Sequence, residues 1–248
     1  MLSIPDRVVV PSGVPGRTKS ERVQAMFGRI VARYDLMNRL MTFGQDASWR
    51  RAAIADLEPA GALVLDIGAG TGDLALGALK AGALRVVGVD FVDSMLASAR
   101  TKLLSAGYRN RIAFAIGDAL SLPFPDASFD GVVNGFLLRN VADLDGALRE
   151  FARVLRPGGR LVCLEITHAP PALAPFFAVY FGRIIPILGS IVTGESAAYQ
   201  YLPESLAPLP NPDHLSSMLR ESGFDRVSYR RLGLGTVAIH VAVRAFNE

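Results

Sequence analysis

The segment Asp66-Ile-Gly68-Ala-Gly70-Thr71-Gly72-Asp73 sets a carboxylate on either side of three glycines. Glycines at this spacing let a backbone turn tightly and approach a ligand closely. A dinucleotide-binding loop reads G-x-G-x-x-G. Gly68 and Gly70 fit that pattern, but the third position is Asp73 and Gly72 falls one residue early. Charge is the stronger discriminator. A dinucleotide would bring a doubly negative pyrophosphate between Asp66 and Asp73, which repel it even though a helix N-terminus attracts anions. S-adenosylmethionine carries a sulfonium and an ammonium against one carboxylate and is net cationic. The loop therefore reads as a site for that cofactor.

Two further acids follow at strand-end positions. Asp90 lies roughly 20 residues past the loop, where an acid can accept both ribose hydroxyls. That feature serves either cofactor, since both contain an adenosine ribose. Asp118-Ala119 would stand beside the adenine, with the carboxylate accepting from the exocyclic amine. Thr71, Phe91 and Gly135 complete the expected cofactor-binding set of Asp66, Gly68, Gly70, Asp90, Asp118 and Ala119. Asp and Gly are common turn residues singly; it is their recurrence after successive strands that points to a ligand edge.

These residues need a frame. Ala62–Leu65, Arg85–Val89, Arg111–Ile116, Phe129–Val133 and Leu161–Ile166 read as short apolar strands. Helical stretches separate them at Gly72–Ala81, Ser94–Leu104 (capped by Asp93) and Asp143–Leu155, with a turn at Pro157-Gly158-Gly159. Such alternation predicts an α/β fold: a Rossmann-like, mostly parallel sheet of seven strands with helices on both faces. Phe224–Arg231 and Thr236–Arg244 supply the two closing strands, after a helix opened by Asn211-Pro212. Residues 1–19 read as a mobile leader and 20–248 as a single domain. Within it, 20–57 form N-terminal helices, and 170–205 form a helical insertion broken by prolines.

The chain has 248 residues, half of them apolar, and a net charge of +3. With no run of five basic residues, nothing argues for nucleic acid as a partner. The single cysteine, Cys163, sits in an apolar run, which excludes an internal disulfide and favours a buried structural thiol. No metal is expected. The N-terminus lacks the basic-then-apolar order of a signal peptide, and a cytoplasmic location is the default.

The motifs Val64–Asp73, Val87–Asp90, Gly117-Asp118 and Phe129-Asp130 resemble those of class I methyltransferases. A narrower resemblance lies outside them. Tyr34-Asp-Leu-Met-Asn38 with Gly44 and Trp49-Arg50 is similar to the N-terminal signature of the ubiquinone/menaquinone biosynthesis C-methyltransferases. Arg153–Gly159 with Leu164-Glu165 resembles their second signature. Leu138–Val141, Tyr199–Ser205 and Gly235–His240 match their remaining segments, so the likeness runs from about residue 20 to 244. The chain departs from the family at Thr42 and Asp46, where Ser and His are usual, and at Gly135-Phe-Leu137, where Ser-Phe-Gly is more common. The first departure removes a histidine from any catalytic role there; the second removes a hydroxyl contact at position 135.

The resemblance implies methylation of a ring carbon on a lipophilic, polyprenylated quinol. Deprotonating a ring hydroxyl pushes charge onto the neighbouring carbon, which attacks the sulfonium methyl in line. Much of the rate can come from positioning and water exclusion. Arg139, Tyr34 and Asp35 are the candidates for assisting the proton's departure. Their structural alternatives are a loop salt bridge, a core aromatic and a helix-surface acid. His168 reads as a surface or capping residue, and His214 and His240 as structural. The 170–205 region would be a lid over the prenyl tail, a face for peripheral membrane contact, or a cap packed on its own core. A homodimer is also compatible with this reading.

Overall fold

A computed structural model describes residues 17–193, 201 and 203–246. Two helices lead the chain, α1 (Arg17–Met41) and α2 (Gln45–Leu57). There follow β1 (Leu63–Ile67), α3 (Asp73–Lys80), β2 (Arg85–Asp90), α4 (Asp93–Ser105), β3 (Ile112–Ile116) and β4 (Phe129–Gly135). The chain continues through α5 (Leu144–Val154), β5 (Leu155–Ile166), α6 (Ala174–Val179), α7 (Ile185–Thr193), α8 (Pro212–Glu221), β6 (Phe224–Leu232) and β7 (Val237–Arg244). The strands form one seven-stranded sheet in the order β3-β2-β1-β4-β5-β7-β6. Only β7 runs antiparallel to its neighbours, β5 and β6. The order reverses on either side of β1, and ligands in open parallel sheets bind at such a switch point.

The central strands are apolar on both faces, as a sheet covered on both sides requires. Leu65, Val87, Val132 and Leu161 face α5 and α8, packing with Leu148, Phe151, Leu215 and Leu219. Val64, Val86, Val133 and Val162 face the other way onto Ala53, Ile54 and Leu57 of α2 and Leu74 and Ala78 of α3. A third cluster joins α1 to α6 and α7 through Met26, Ile30, Met37, Tyr180 and Ile185. Cys163 is fully buried, accepts from Asn134 Nδ2 at 3.1 Å, and has its thiol pushed up to about 12 by burial, an inert structural group.

Several boundaries differ from expectation for physical reasons. Residues 17–19 begin α1 rather than ending a leader; the rest of the expected leader, 1–16, lies outside the described residues. Asp66 stands inside β1, one position before its end. Asp93 is the first residue of α4 rather than its cap; Val92 holds the cap position, and its N–H donates to Asp90 Oδ1 at 2.9 Å. Asp143 and Asn211 do cap α5 and α8, accepting from Gly146 N and His214 N. The prolines at 170–186 do not break the chain into separate helices. α6 runs through a π-helical turn, Tyr180–Ile184, directly into α7. The combined span Ala174–Val192 is long and apolar enough to cross a membrane by length and composition. Of the Tyr199–Ser205 segment, 199, 200 and 202 lie outside the described residues.

Candidate active site

The glycine loop is pinned to the neighbouring strand. Ile67 pairs in register with Val89, so the N–H groups of Gly68 and Ala69 both donate to Val89 O, at 2.8 and 2.9 Å. Gly68 has φ +69, and a Cβ there would come within 2.9 Å of Leu137 Cδ1. Gly72 (φ +82) brings α3 against α4: a Cβ would meet Leu103 Cδ1 at 2.7 Å and Ala99 Cβ at 3.0 Å. Gly72 is thus a close-packing glycine, although it is out of step with the dinucleotide pattern.

The flanking acids do not act as the bare sequence suggests. Asp66 is fully buried, and its Oδ2 accepts from Ala75 N in the first turn of α3 at 2.9 Å. It serves as a remote cap, because Gly72 at the cap position has no side chain to do so. Burial raises its pKa to about 7. Asp73 is bound by Lys102 Nζ at 2.7 Å, with Arg50 Nε at 3.8 Å. Its charge is neutralised by the protein, which corrects the picture of two free carboxylates facing a cationic ligand. Lys102 was not legible as a site residue; it lies on α4, remote in sequence from Asp73 and from its other partners, Asp35 and Thr71.

Two small adjoining cavities stand at this edge of the sheet and share Gly68, Asp90, Phe91, Leu137 and Asn140. Asp118 and Ala119 line the first, and Gly70, Gly135, Phe136 and Tyr34 the second. Asp90 accepts from Gly70 N (2.8 Å) and Val92 N (2.9 Å), which uses two of a carboxylate's roughly four acceptor sites. Burial raises its pKa, against the pull of those backbone bonds. Asp118 Oδ1 accepts from Leu120 N at 3.0 Å. Asn140 Oδ1 is buried in this cleft without a hydrogen-bond partner, an acceptor positioned for a donor supplied from outside the protein. Gln24 Nε2 on α1 donates to Phe91 O at 2.6 Å and ties that helix across the edge. Thr71 lies outside both cavities; its hydroxyl donates to Asp35 Oδ1 at 2.6 Å.

A larger chamber of about 270 Å³ adjoins this cleft, and the two share Tyr34 and Phe136. Its walls come from the end of α1, from α2 (Asp46, Trp49), from α6 and the π-helical turn (Phe176, Phe177, Tyr180, Phe181), and from the segment before β7 (Gly233, Leu234, Thr236). Phe136, just past β4, takes a left-handed backbone (φ +59), a costly conformation for a non-glycine residue and one that clusters at functional sites. The guanidinium groups of Arg50 and Arg139 lie 5.5 and 5.8 Å from its ring centroid.

Arg139 lines the chamber, and its Nη1 donates to Glu165 Oε1 at 2.6 Å in a pair that is almost wholly buried. Glu165, at the end of β5, belongs to the site although it was legible only as part of a family signature. Asp35 does not line the chamber. Burial pushes its pKa up, but the hydrogen bonds from Lys102 and Thr71 outweigh that and hold it below the ordinary value. A carboxylate so engaged ties α1 to the glycine loop and α4, and the structure places Asp35, a candidate for assisting the proton's departure, outside the chamber wall. Asp130 is likewise structural: at the opposite end of the sheet its Oδ2 accepts from Leu63 N at 2.8 Å. His168 is exposed and outside the chamber, and buried His240 contacts Pro212 O through Nε2 at 3.0 Å.

A model of the ubiE/COQ5 methyltransferase family matches residues 16–244. The demethylmenaquinone methyltransferase of Thermus thermophilus is 48% identical over 223 residues, 88% of this chain and 100% of its own. The ubiquinone/menaquinone biosynthesis C-methyltransferase UbiE of Paracoccus denitrificans is 40% identical over 230 residues, 92% of each chain. Among solved structures, a SAM-dependent methyltransferase from Thermotoga maritima superposes with a TM-score of 0.65 at 19% identity, over 89% of this chain and 99% of that one. The [4+2]-cyclase SpnF superposes at 0.69 and 20% identity, over 92% and 97%. At such identities the structures carry the fold alone, and a cyclase among them shows that this fold does not dictate one reaction.

Proposed function

The chain belongs to the ubiE/COQ5 methyltransferase family, and from that premise we propose that it methylates a ring carbon of a polyprenylated quinol, demethylmenaquinol foremost. The observation that carries this reading is the apolar chamber joined to the glycine-loop cleft through Tyr34 and Phe136. An aromatic ring fits such walls, and the chamber's polar groups (Asn38, Thr42, Asp46 and Arg139 among them) suit a ring bearing hydroxyls. S-adenosylmethionine supplies the electrophilic methyl. Gly68, Gly70, Asp90, Phe91, Asp118, Ala119 and Gly135 would hold it, and the unpartnered Asn140 Oδ1 adds an acceptor. Arg139, balanced by Glu165, would stabilise negative charge developing on a ring oxygen. Tyr34, on the shared wall, would keep ring and donor aligned.

Around the chamber mouth the surface is apolar. Phe43, Phe176 and Leu234 line the chamber and are 80, 61 and 73% exposed. Ile184, at the end of the π-helical turn, and Ile187 and Ile191 of α7 continue the exposed apolar surface at spacings of three and four. A soluble ligand needs no such rim. A prenylated one is held in a bilayer, and the rim supports peripheral contact with lipid as the route by which it enters.

The test is transfer of a labelled methyl to a demethylated naphthoquinol, with a methoxy-benzoquinol in parallel. Transfer to the first supports the proposal, and transfer only to the second moves the substrate to the benzoquinol. Transfer to neither sinks the quinol reading. Thermal shift separates that failure from a failed cofactor reading, which would be stabilisation by NADH and none by S-adenosylmethionine.

A further inference from the structure

Asn38, Thr42 and Asp46 follow one another at intervals of four across the turn between α1 and α2, and all three line the chamber. Asp46 is only 4% exposed. Thr42 Oγ1 donates to Asn38 O at 2.7 Å and lies 3.2 Å from Asp46 Oδ1. Arg50 Nη1 binds Asp46 Oδ2. Asn38 Nδ2 is buried with no hydrogen-bond partner. The chamber thus offers, on one stretch of backbone, an unmet donor and a carboxylate with acceptor sites to spare. A hydroxyl is the group that satisfies both: it accepts from Asn38 and donates to Asp46.

Resting on the quinol reading above, we propose that Asp46 is the proton acceptor for the ring hydroxyl and that Asn38 holds the oxygen while the proton leaves. The O–H bond breaks and its proton passes to the Asp46 carboxylate. The oxygen's electron pair moves into the ring, and the ortho carbon bonds the methyl as the methyl–sulfur bond breaks, its pair remaining on sulfur as a thioether. The ring carbon then loses its hydrogen to water as a proton, the aromatic ring is restored, and the oxygen takes its proton back from Asp46. One proton is released per turnover, and no other reactant is needed.

The surrounding charges suit this step. Asp46 faces Arg50 on its own helix, and Arg139, in the turn after β4, pairs with Glu165 of β5 against the chamber; Tyr34 on α1 and Tyr180 in the π-helical turn are the other titratable groups lining it. Two guanidiniums balance two carboxylates. Moving a proton from the hydroxyl to Asp46 only relocates one negative charge within that neutral set, so no net charge is created in an apolar space. Asp35, held by Lys102 and Thr71, lies outside the chamber and does not compete for the role.

The experiment compares wild type with Asp46→Asn and Asp46→His. Turnover on the demethylated naphthoquinol should fall about 100-fold or more in D46N, with S-adenosylhomocysteine affinity within twofold of wild type. Imidazole has an ordinary pKa of about 6.5, so D46H should retain turnover and acquire an acid limb near that pH in its kcat profile. Wild type should lack that limb. Binding provides the readout that is independent of turnover: wild type should prefer 4-methoxy-1-naphthol over 1,4-dimethoxynaphthalene by about tenfold, and D46N should lose that preference. Turnover in D46N within about threefold of an active wild type overturns the proposal. So does an equal loss of cofactor affinity, which would assign Asp46 to holding Arg50. If D46N does not fold, D46H decides: an active variant without the new limb also overturns it. A wild type that methylates no quinol refutes the function proposed above instead, and the naphthol preference still tests Asp46.

Discussion

The two halves of the site are built in different ways. At the glycine-loop cleft, strand ends and backbone N–H groups do the positioning: Gly68, Ala69, Gly70 and Val92 all donate to atoms of Val89 or Asp90. At the chamber, side chains from helices added to the sheet do it, and aromatic residues stand exposed at the rim. Backbone geometry tolerates few sequences at a glycine turn, whereas a helical wall can change its side chains without moving its backbone. A chamber built this way can change its lining without disturbing the glycine loop.

The sharpest way to break the comparison is at Arg139, where the chamber carries a buried ion pair. Arg139→Ala strands Glu165, which is 2% exposed, and should cost about 3–5 kcal/mol of stability, readable by denaturant unfolding. Adding Glu165→Gln should restore much of that stability without restoring turnover. If the single change costs under about 1 kcal/mol, the chamber tolerates an unpaired acid and the account of its charge balance fails. At the glycine-loop cleft, Asp90→Ala removes the acceptor that holds the Gly70 and Val92 N–H groups and that we propose for the ribose. Losing two charge-assisted hydrogen bonds predicts roughly a 100-fold loss in calorimetric affinity for S-adenosylhomocysteine. A change below about fivefold would move the ribose contact elsewhere.

Asp66 makes a smaller prediction about pH. Its folded pKa is raised to about 7, above an unfolded value of about 3.9. Between these values the folded state binds more protons than the unfolded one, so stability falls as pH rises. The contribution of the protonated group is fully present below about pH 4 and gone above about pH 7. Asp66→Asn removes the titration, so the Tm of the variant relative to wild type should climb across that window, by the equivalent of about 1–4 kcal/mol. A gap that stays flat with pH would mean that Asp66 is ionised throughout. The smallest effect on stability is expected at the rim. Serine at both Ile187 and Ile191, 61 and 76% exposed, should change stability by less than about 0.5 kcal/mol and yet reduce co-sedimentation with lipid vesicles. Unchanged vesicle binding would separate the rim from the membrane.

The order of the elements and the acids at or near the strand ends were legible in the chain because each signal is local. A strand, a turn and the acid that follows occupy a few consecutive residues, so Asp66, Asp90 and Asp118 could be placed by spacing. The direction in which each acid points could not. Asp73 and Asp35 are both claimed by Lys102, a residue 29 and 67 positions away, which only packing of α4 against α1 and α3 brings near. Asn38, Thr42 and Asp46 are close in sequence, yet spacing alone does not reveal that their common face meets a chamber closed by Tyr180 and Thr236.

The sequence by itself determined the parallel sheet, its glycine turn and the acids at its strand ends, because periodicity and glycine conformation act over short stretches. The tertiary structure alone decided which carboxylates are neutralised, which stay within reach of a ligand, and where cofactor cleft and chamber meet. Ion pairing and burial depend on residues far apart in the chain, and those distances exist only once it is folded.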